Sequence, residues 1–177
     1  VRDPPERLVS LYNYRRSKGV ETGSIETWLD LQAKPSMHNP MTRFYAESLM
    51  HVGRIRSSSD HQLPLAKTLL QKCWFVGNTP FLDEDLGPLF SAMGLPCTWK
   101  DQRVAGIIQD ENNLERELHP AKDERLHRFV ELDDRLRKRI YADHPVDKEL
   151  YDYALQRRQQ TLTNLQSLST AATLPDT

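Results

Sequence analysis

Near the start of the chain, in RDPPERLVSLY, the residues Arg2, Asp3 and Ser10 have the types and spacing of an anion-binding set. Asp3 and Ser10 lie seven residues apart, about two helical turns, so a helix beginning here points them the same way. Arg2, just before, can swing to that face. A guanidinium offers charged donors in a fixed fork and a hydroxyl adds a neutral one, which is a sound donor set for a phosphate beside a helix start. Spacing alone favours the plainer alternative, a well-capped amphipathic helix with a solvated arginine.

That helix is written sharply into the residues around the pair. Asp3 can cap it, Pro4 or Pro5 fits its first turn, and Glu6 completes a capping box. Leu8, Leu11 and Tyr12 supply an apolar face, Arg15, Arg16 and Lys18 load its end, and Gly19 stops it. Ser24 then caps a short helix carrying Trp28, Leu29 and Leu31. Pro35 and Pro40 bracket Met37, His38 and Asn39 in a loop, and a helical pattern resumes from Thr42 to Met50. GRIRSSSDHQLP reads as a polar surface excursion.

The block from Leu63 to Pro96 speaks to architecture. Ala66, Leu69 and Leu70 mark a helix, the apolar run Cys73 to Val76 reads as a short buried strand ended by Gly77, and Leu82, Leu86, Leu89, Phe90 and Met93 form a second helix closed by Gly94 and Pro96. A strand between two helices predicts an α/β fold, a largely parallel sheet covered on both faces, with Val1 near the end of a second strand. Two strands are too few for such a sheet, so the remaining ones are expected before residue 1. The last third is charged and helical, with Leu126, Phe129, Val130, Leu132, Leu136 and Ile140 along one stripe and Leu150, Tyr151, Ala154, Leu155 and Leu162 along another. Residues 167–177 read as a frayed small-residue tail.

The 177 residues are one domain's worth, and 24 basic against 25 acidic residues leave no global field to attract nucleic acid. Any anion site must therefore be local. No apolar run approaches the roughly 20 residues that span a bilayer. Cys73 and Cys97 are too few for a disulfide framework or a zinc site, and reduced buried thiols are the default. The basic clusters Arg135-Arg137-Lys138-Arg139 and Arg157-Arg158 are interleaved with or near acids and read as solvated helical faces.

RDPPERLVSLYNY resembles the 3′-phosphate-binding segment of sulfotransferases that use 3′-phosphoadenosine 5′-phosphosulfate (PAPS): Arg2-Asp3-Pro4, Glu6-Arg7, Ser10 and Tyr12 match in order and spacing. The likeness continues through HNPMTRFYA, FVGNTPFLDEDLGPLFSAMGL and PVDKELYDYA, and is nearest to the branch that includes heparan sulfate 2-O-sulfotransferase and its bacterial relatives. Pro80 stands where many relatives carry an acid.

The resemblance implies a P-loop-like three-layer sulfotransferase fold, of which residues 1–166 would be the helix-rich C-terminal portion, with the 5′-phosphosulfate loop and the catalytic base upstream. It implies transfer of a sulfuryl group from PAPS to a hydroxyl, on a carbohydrate, without a metal, leaving PAP. Arg2 and Ser10 would hold the 3′-phosphate; Asn113 and Arg116, in QDENNLERELHP, would be further cofactor contacts; His38 and Asn39 would face the acceptor. The cytoplasm is the expected compartment, or the Golgi lumen if an upstream segment carries an anchor. Two alternatives stand beside this one: a non-catalytic helical binding module, and a P-loop nucleotide kinase, which would need a Gly-rich Lys-Ser/Thr loop.

Overall fold

A computed structural model describes residues 1–53, 61–95 and 129–172. Among them the chain is helical: α1 (Pro4–Ser17), α2 (Ile25–Gln32), α3 (Pro40–Gly53), α4 (Gln62–Lys72), a 3-10 turn (Thr79–Phe81), α5 (Leu82–Ala92), α6 (Asp134–Asp143) and α7 (Pro145–Ala172). No helix among the described residues is long and apolar enough to cross a membrane.

The expected α/β sheet is not there, since no strand occurs among the described residues. Cys73 is extended, with φ −70° and ψ 126°, but an extended segment becomes a strand only when a neighbour completes its ladder. One residue does so: the Val1 nitrogen donates to Gly77 O at 2.8 Å and Val1 O accepts from the Thr79 N–H at 2.9 Å, the alternation of a parallel pair. Pairing goes no further, and the run is not buried on both sides, for Val76 is buried while Trp74 is exposed. The three-layer architecture is thereby overturned, and with it the fold that the sulfotransferase and nucleotide-kinase readings shared.

Two apolar cores take the place of a sheet. One joins Leu8, Val9 and Tyr12 of α1, Ile25, Trp28 and Leu29 of α2, and Leu136 and Ile140 of α6. The other joins Met41 of α3, Ala66 and Leu70 of α4, Val76, and Leu150 and Ala154 of α7. Leu11, expected on the buried face of α1, is exposed, because it stands about 100° round the helix from Tyr12 while Val9 takes its place.

Helix ends follow local chemistry closely. At the end of α1 the Gly19 N–H bonds Arg16 O and the Val20 N–H bonds Arg15 O, a Schellman motif that needs the left-handed φ of +68° at Gly19. Gly94, at φ +65°, closes α5 in the same way on Ser91 O and Phe90 O. Ser24 caps α2 by accepting from the Thr27 N–H at 3.2 Å. Of the stripe expected from Leu126, Leu126 lies outside the described residues and residues 129–133 are non-helical; Asp133 accepts from the Leu136 N–H at 2.7 Å and sets α6 going at Asp134. At the other end α7 continues to Ala172.

Candidate functional site

α1 begins as its two prolines and Glu6 suggest, but Asp3 does not cap it with its side chain. Its carboxylate turns to α6 instead, accepting from Arg137 Nη1 at 2.5 Å and from the Tyr141 hydroxyl at 2.8 Å, and it is buried there. The capping box fails because this tertiary demand is stronger: a buried carboxylate held by a guanidinium and a phenol gains more than one facing a solvated first turn. Burial, and after it the neighbouring Asp3 carboxylate, push Tyr141 up to about 12, so it serves as a donor throughout the ordinary pH range.

Fixing Asp3 fixes Arg2. Its Nη1 donates to Ser10 Oγ at 3.2 Å, and its Nε lies 3.9 Å from Glu6 on the same helix. That Nε is buried with no hydrogen-bond partner. Ser10 Oγ accepts from Arg2, which leaves the hydroxyl proton for a second partner. Pro4 and Pro5 delete two of the four amides a helix N-terminus normally presents, so any anion affinity here belongs to the side chains of Arg2 and Ser10 rather than to the backbone.

His38 and Asn39 lie in the expected loop, between α2 and α3, with His38 half-buried. Asn39 Nδ2 bonds His38 Nδ1 at 2.8 Å, while Asn39 itself is buried with a left-handed φ of +47°. Its N–H donates to Nδ1 of His144 at 3.1 Å and its Oδ1 accepts from the Asp147 N–H at 3.2 Å. Asp147 then caps α3 from another helix, accepting from the N–H groups of Met41 at 2.9 Å and Thr42 at 2.7 Å. Asn113 and Arg116 lie outside the described residues, as does Cys97.

Two polar assemblies escaped the sequence reading. One is this Asn39–His144–Asp147 junction. The other centres on Asp85, fully buried, which receives Arg158 through Nε at 2.7 Å and Nη2 at 2.6 Å, and also the Asn78 N–H at 3.1 Å. Arg158 lies over the Phe81 ring, 4.3 Å from its centroid. The basic cluster of α6 is solvated in part, as Arg135 and Lys138 are exposed, but its arginines are paired: Arg135 with Glu26, Arg137 with Asp3, and Arg139 with Asp30 and Asp143. Glu26, Asp3 and Asp30 are too distant in sequence to leave a local signal, whereas Asp143, four residues from Arg139 on the same helix, is a local partner.

No group of three or more His, Cys, Asp or Glu residues that could hold a metal ion occurs among the described residues. No protein-family model matches the chain, and neither a curated protein nor a solved structure matches it.

Proposed function

We propose that Arg2 and Ser10 hold the 3′-phosphate of PAPS, and of its product PAP, in a sulfotransferase acting on a hydroxyl group, on a carbohydrate. One observation carries this reading: Arg2 Nη1 and Ser10 Oγ meet at 3.2 Å while Arg2 Nε is buried without a hydrogen-bond partner. The guanidinium, 41% exposed, offers charged N–H groups beyond the one on Ser10, beside a hydroxyl whose proton is left for a second partner, which suits a doubly charged phosphate once it outcompetes Glu6, 3.9 Å from Nε. The support is this local geometry and the likeness of RDPPERLVSLYNY, not the overall architecture.

When bound, PAPS supplies an activated sulfuryl group. Arg2 and Ser10 would grip the nucleotide far from the bond that breaks, spending remote binding energy on orientation. Asp3 would serve indirectly: anchored by Arg137 and Tyr141, it fixes the chain immediately after Arg2 and so limits where the guanidinium reaches.

Calorimetric titration of PAP into wild type, Arg2→Ala and Ser10→Ala tests the assignment, with adenosine 5′-phosphate, which lacks the 3′-phosphate, as control. Loss of the charge-assisted contact at Arg2 is worth about 1.5–3 kcal/mol and of the neutral one at Ser10 about 0.5–1.5 kcal/mol, so the arginine variant weakens PAP more. Equal affinity of all three proteins for PAP refutes it. The helical character of the described residues, without a strand among them, favours a second reading, a non-catalytic helical interaction module, whose signature in the same experiment is no heat of PAP binding at all.

A further inference from the structure

His144 sits at the C-terminal end of α6, one residue before α7 begins, with its ring fully buried. Its Nδ1 accepts the N–H of Asn39, so that nitrogen carries no proton and the ring is neutral, protonated on Nε2. That Nε2 is buried with no partner. Asn39 ties the end of segment 33–39 to α6 and α7, and it enters α3 in a left-handed conformation that is uncommon for a non-glycine residue, asparagine being among those that tolerate it best. Three hydrogen bonds hold it there, to His144, to the Asp147 N–H and to His38.

We propose that His144 is an acid-sensitive latch: protonation of its ring releases segment 33–39, and with it the first turn of α3, from the junction of α6 and α7. An imidazolium has no acceptor, so the Nδ1 proton would face the Asn39 N–H head on, and the bond that holds this residue is replaced by a clash of donors.

The surroundings do not rescue the charged ring. The acids that favour it are Asp147 of α7 and Asp143 of α6, and the His38 ring, 5.3 Å away between centroids, opposes it. Asp147 is already engaged by two amides of α3, and Asp143 is within 3.4 Å of Arg139. The charged side chains near the start of α3 are Arg43 and Glu47, paired with each other, with Arg43 also bonded to Ser36 O. Burial is the largest influence and holds His144 below the usual histidine range. The sign follows: the open form takes up a proton near pH 6.5 while the closed form resists, so the latch is at full strength above that value and weakens as pH falls below it.

Native-state hydrogen exchange at the Asn39, Met41 and Thr42 amides reads the latch directly. With intrinsic exchange rates divided out, the opening constant is expected to rise about tenfold between pH 7.5 and pH 5.5, as an open-state value near 6.5 requires. Amides of α5 control for global acid destabilisation and should move less. His144→Asn, whose Oδ1 can still accept from Asn39 but cannot titrate, should flatten the response, and His38→Asn should preserve it. Equal opening constants at the two pH values in wild type overturn the proposal, as does an unchanged tenfold response in His144→Asn. Should that variant fail to fold, the ring resonances of His144 in wild type decide: a midpoint below 6.5, tracked by the Asn39 amide, supports the latch, and a midpoint at or above 6.5 refutes it.

Discussion

Replacing Arg158 by methionine should damage this protein more than any other removal of a single charge on α7. The arginine side chain is 13% exposed and the Asp85 carboxylate it holds is 0% exposed, so the substitution strands a negative charge in the interior. Breaking a buried pair by removing one member costs about 3–5 kcal/mol, and the remaining Asn78 amide, 3.1 Å from the carboxylate, places the expected loss near the lower figure. Methionine keeps the apolar stem but loses the guanidinium's cation–π contact with Phe81, which adds about 0.5–1 kcal/mol to the loss. Glu84, the arginine's other acid, is 71% exposed, and Glu84→Gln should cost under about 1 kcal/mol. Urea unfolding followed by far-ultraviolet circular dichroism measures all of these, with an unchanged m value required for the comparison. The decisive variant is Arg158→Met combined with Asp85→Asn. The asparagine Oδ1 still accepts from Asn78 but carries no charge, so the double variant should recover about half of what the single one lost. A loss below about 1 kcal/mol for Arg158→Met, or no recovery in the double variant, refutes the reasoning that the pair is a buried charge held by its partner.

Two further outcomes follow from the local geometry. Gly19→Ala should cost about 1–2 kcal/mol in urea unfolding, purely for placing a side chain at φ +68°, because the space around the added carbon is open. Tyr141, pushed up to about 12, should ionise last among the tyrosines in an ultraviolet titration, and since its raised value makes the unfolded state lose its proton first, stability should fall as pH rises from 10 towards 12. Tyr141→Phe should remove that part of the alkaline decline.

Helix boundaries were the legible part of this chain, because a cap is decided within about six residues: Ser24, Gly19 and Gly94 each do what their chemistry suggests. The meeting of Arg2 with Ser10 was legible only in part: the spacing relates Asp3 to Ser10, while Arg2 stands before the helix and follows from the anchoring of Asp3 on α6. The strand at Cys73 to Val76 was misread because apolar β-branched and aromatic residues report a wish to be extended and covered, while a sheet also needs an edge to pair with, and the helices α3, α4 and α7 cover Val76 instead. Asp3 illustrates the opposite failure. Its position before two prolines announces a cap, yet the residues that claim its carboxylate lie 134 and 138 positions away. The role of Asn39 was hidden likewise, since His144 and Asp147 reach it across 105 and 108 positions.

The two cores share an unusual debt to the order in which the chain is made. Leu8, Tyr12, Trp28 and Leu29 wait for Leu136 and Ile140, and Met41, Ala66 and Leu70 wait for Leu150 and Ala154. At a synthesis rate of about 5–20 residues per second, α1 and α2 stand outside the ribosome for ~5–20 s before α6 exists to cover them. Throughout that interval Trp28 and its neighbours have Tyr12 and Leu8 of α1 but not the cover of α6, so the nascent chain offers a chaperone a defined apolar target whose lifetime is set by translation speed. Slowing elongation anywhere between α2 and α6 lengthens that exposure without altering a single contact of the finished protein.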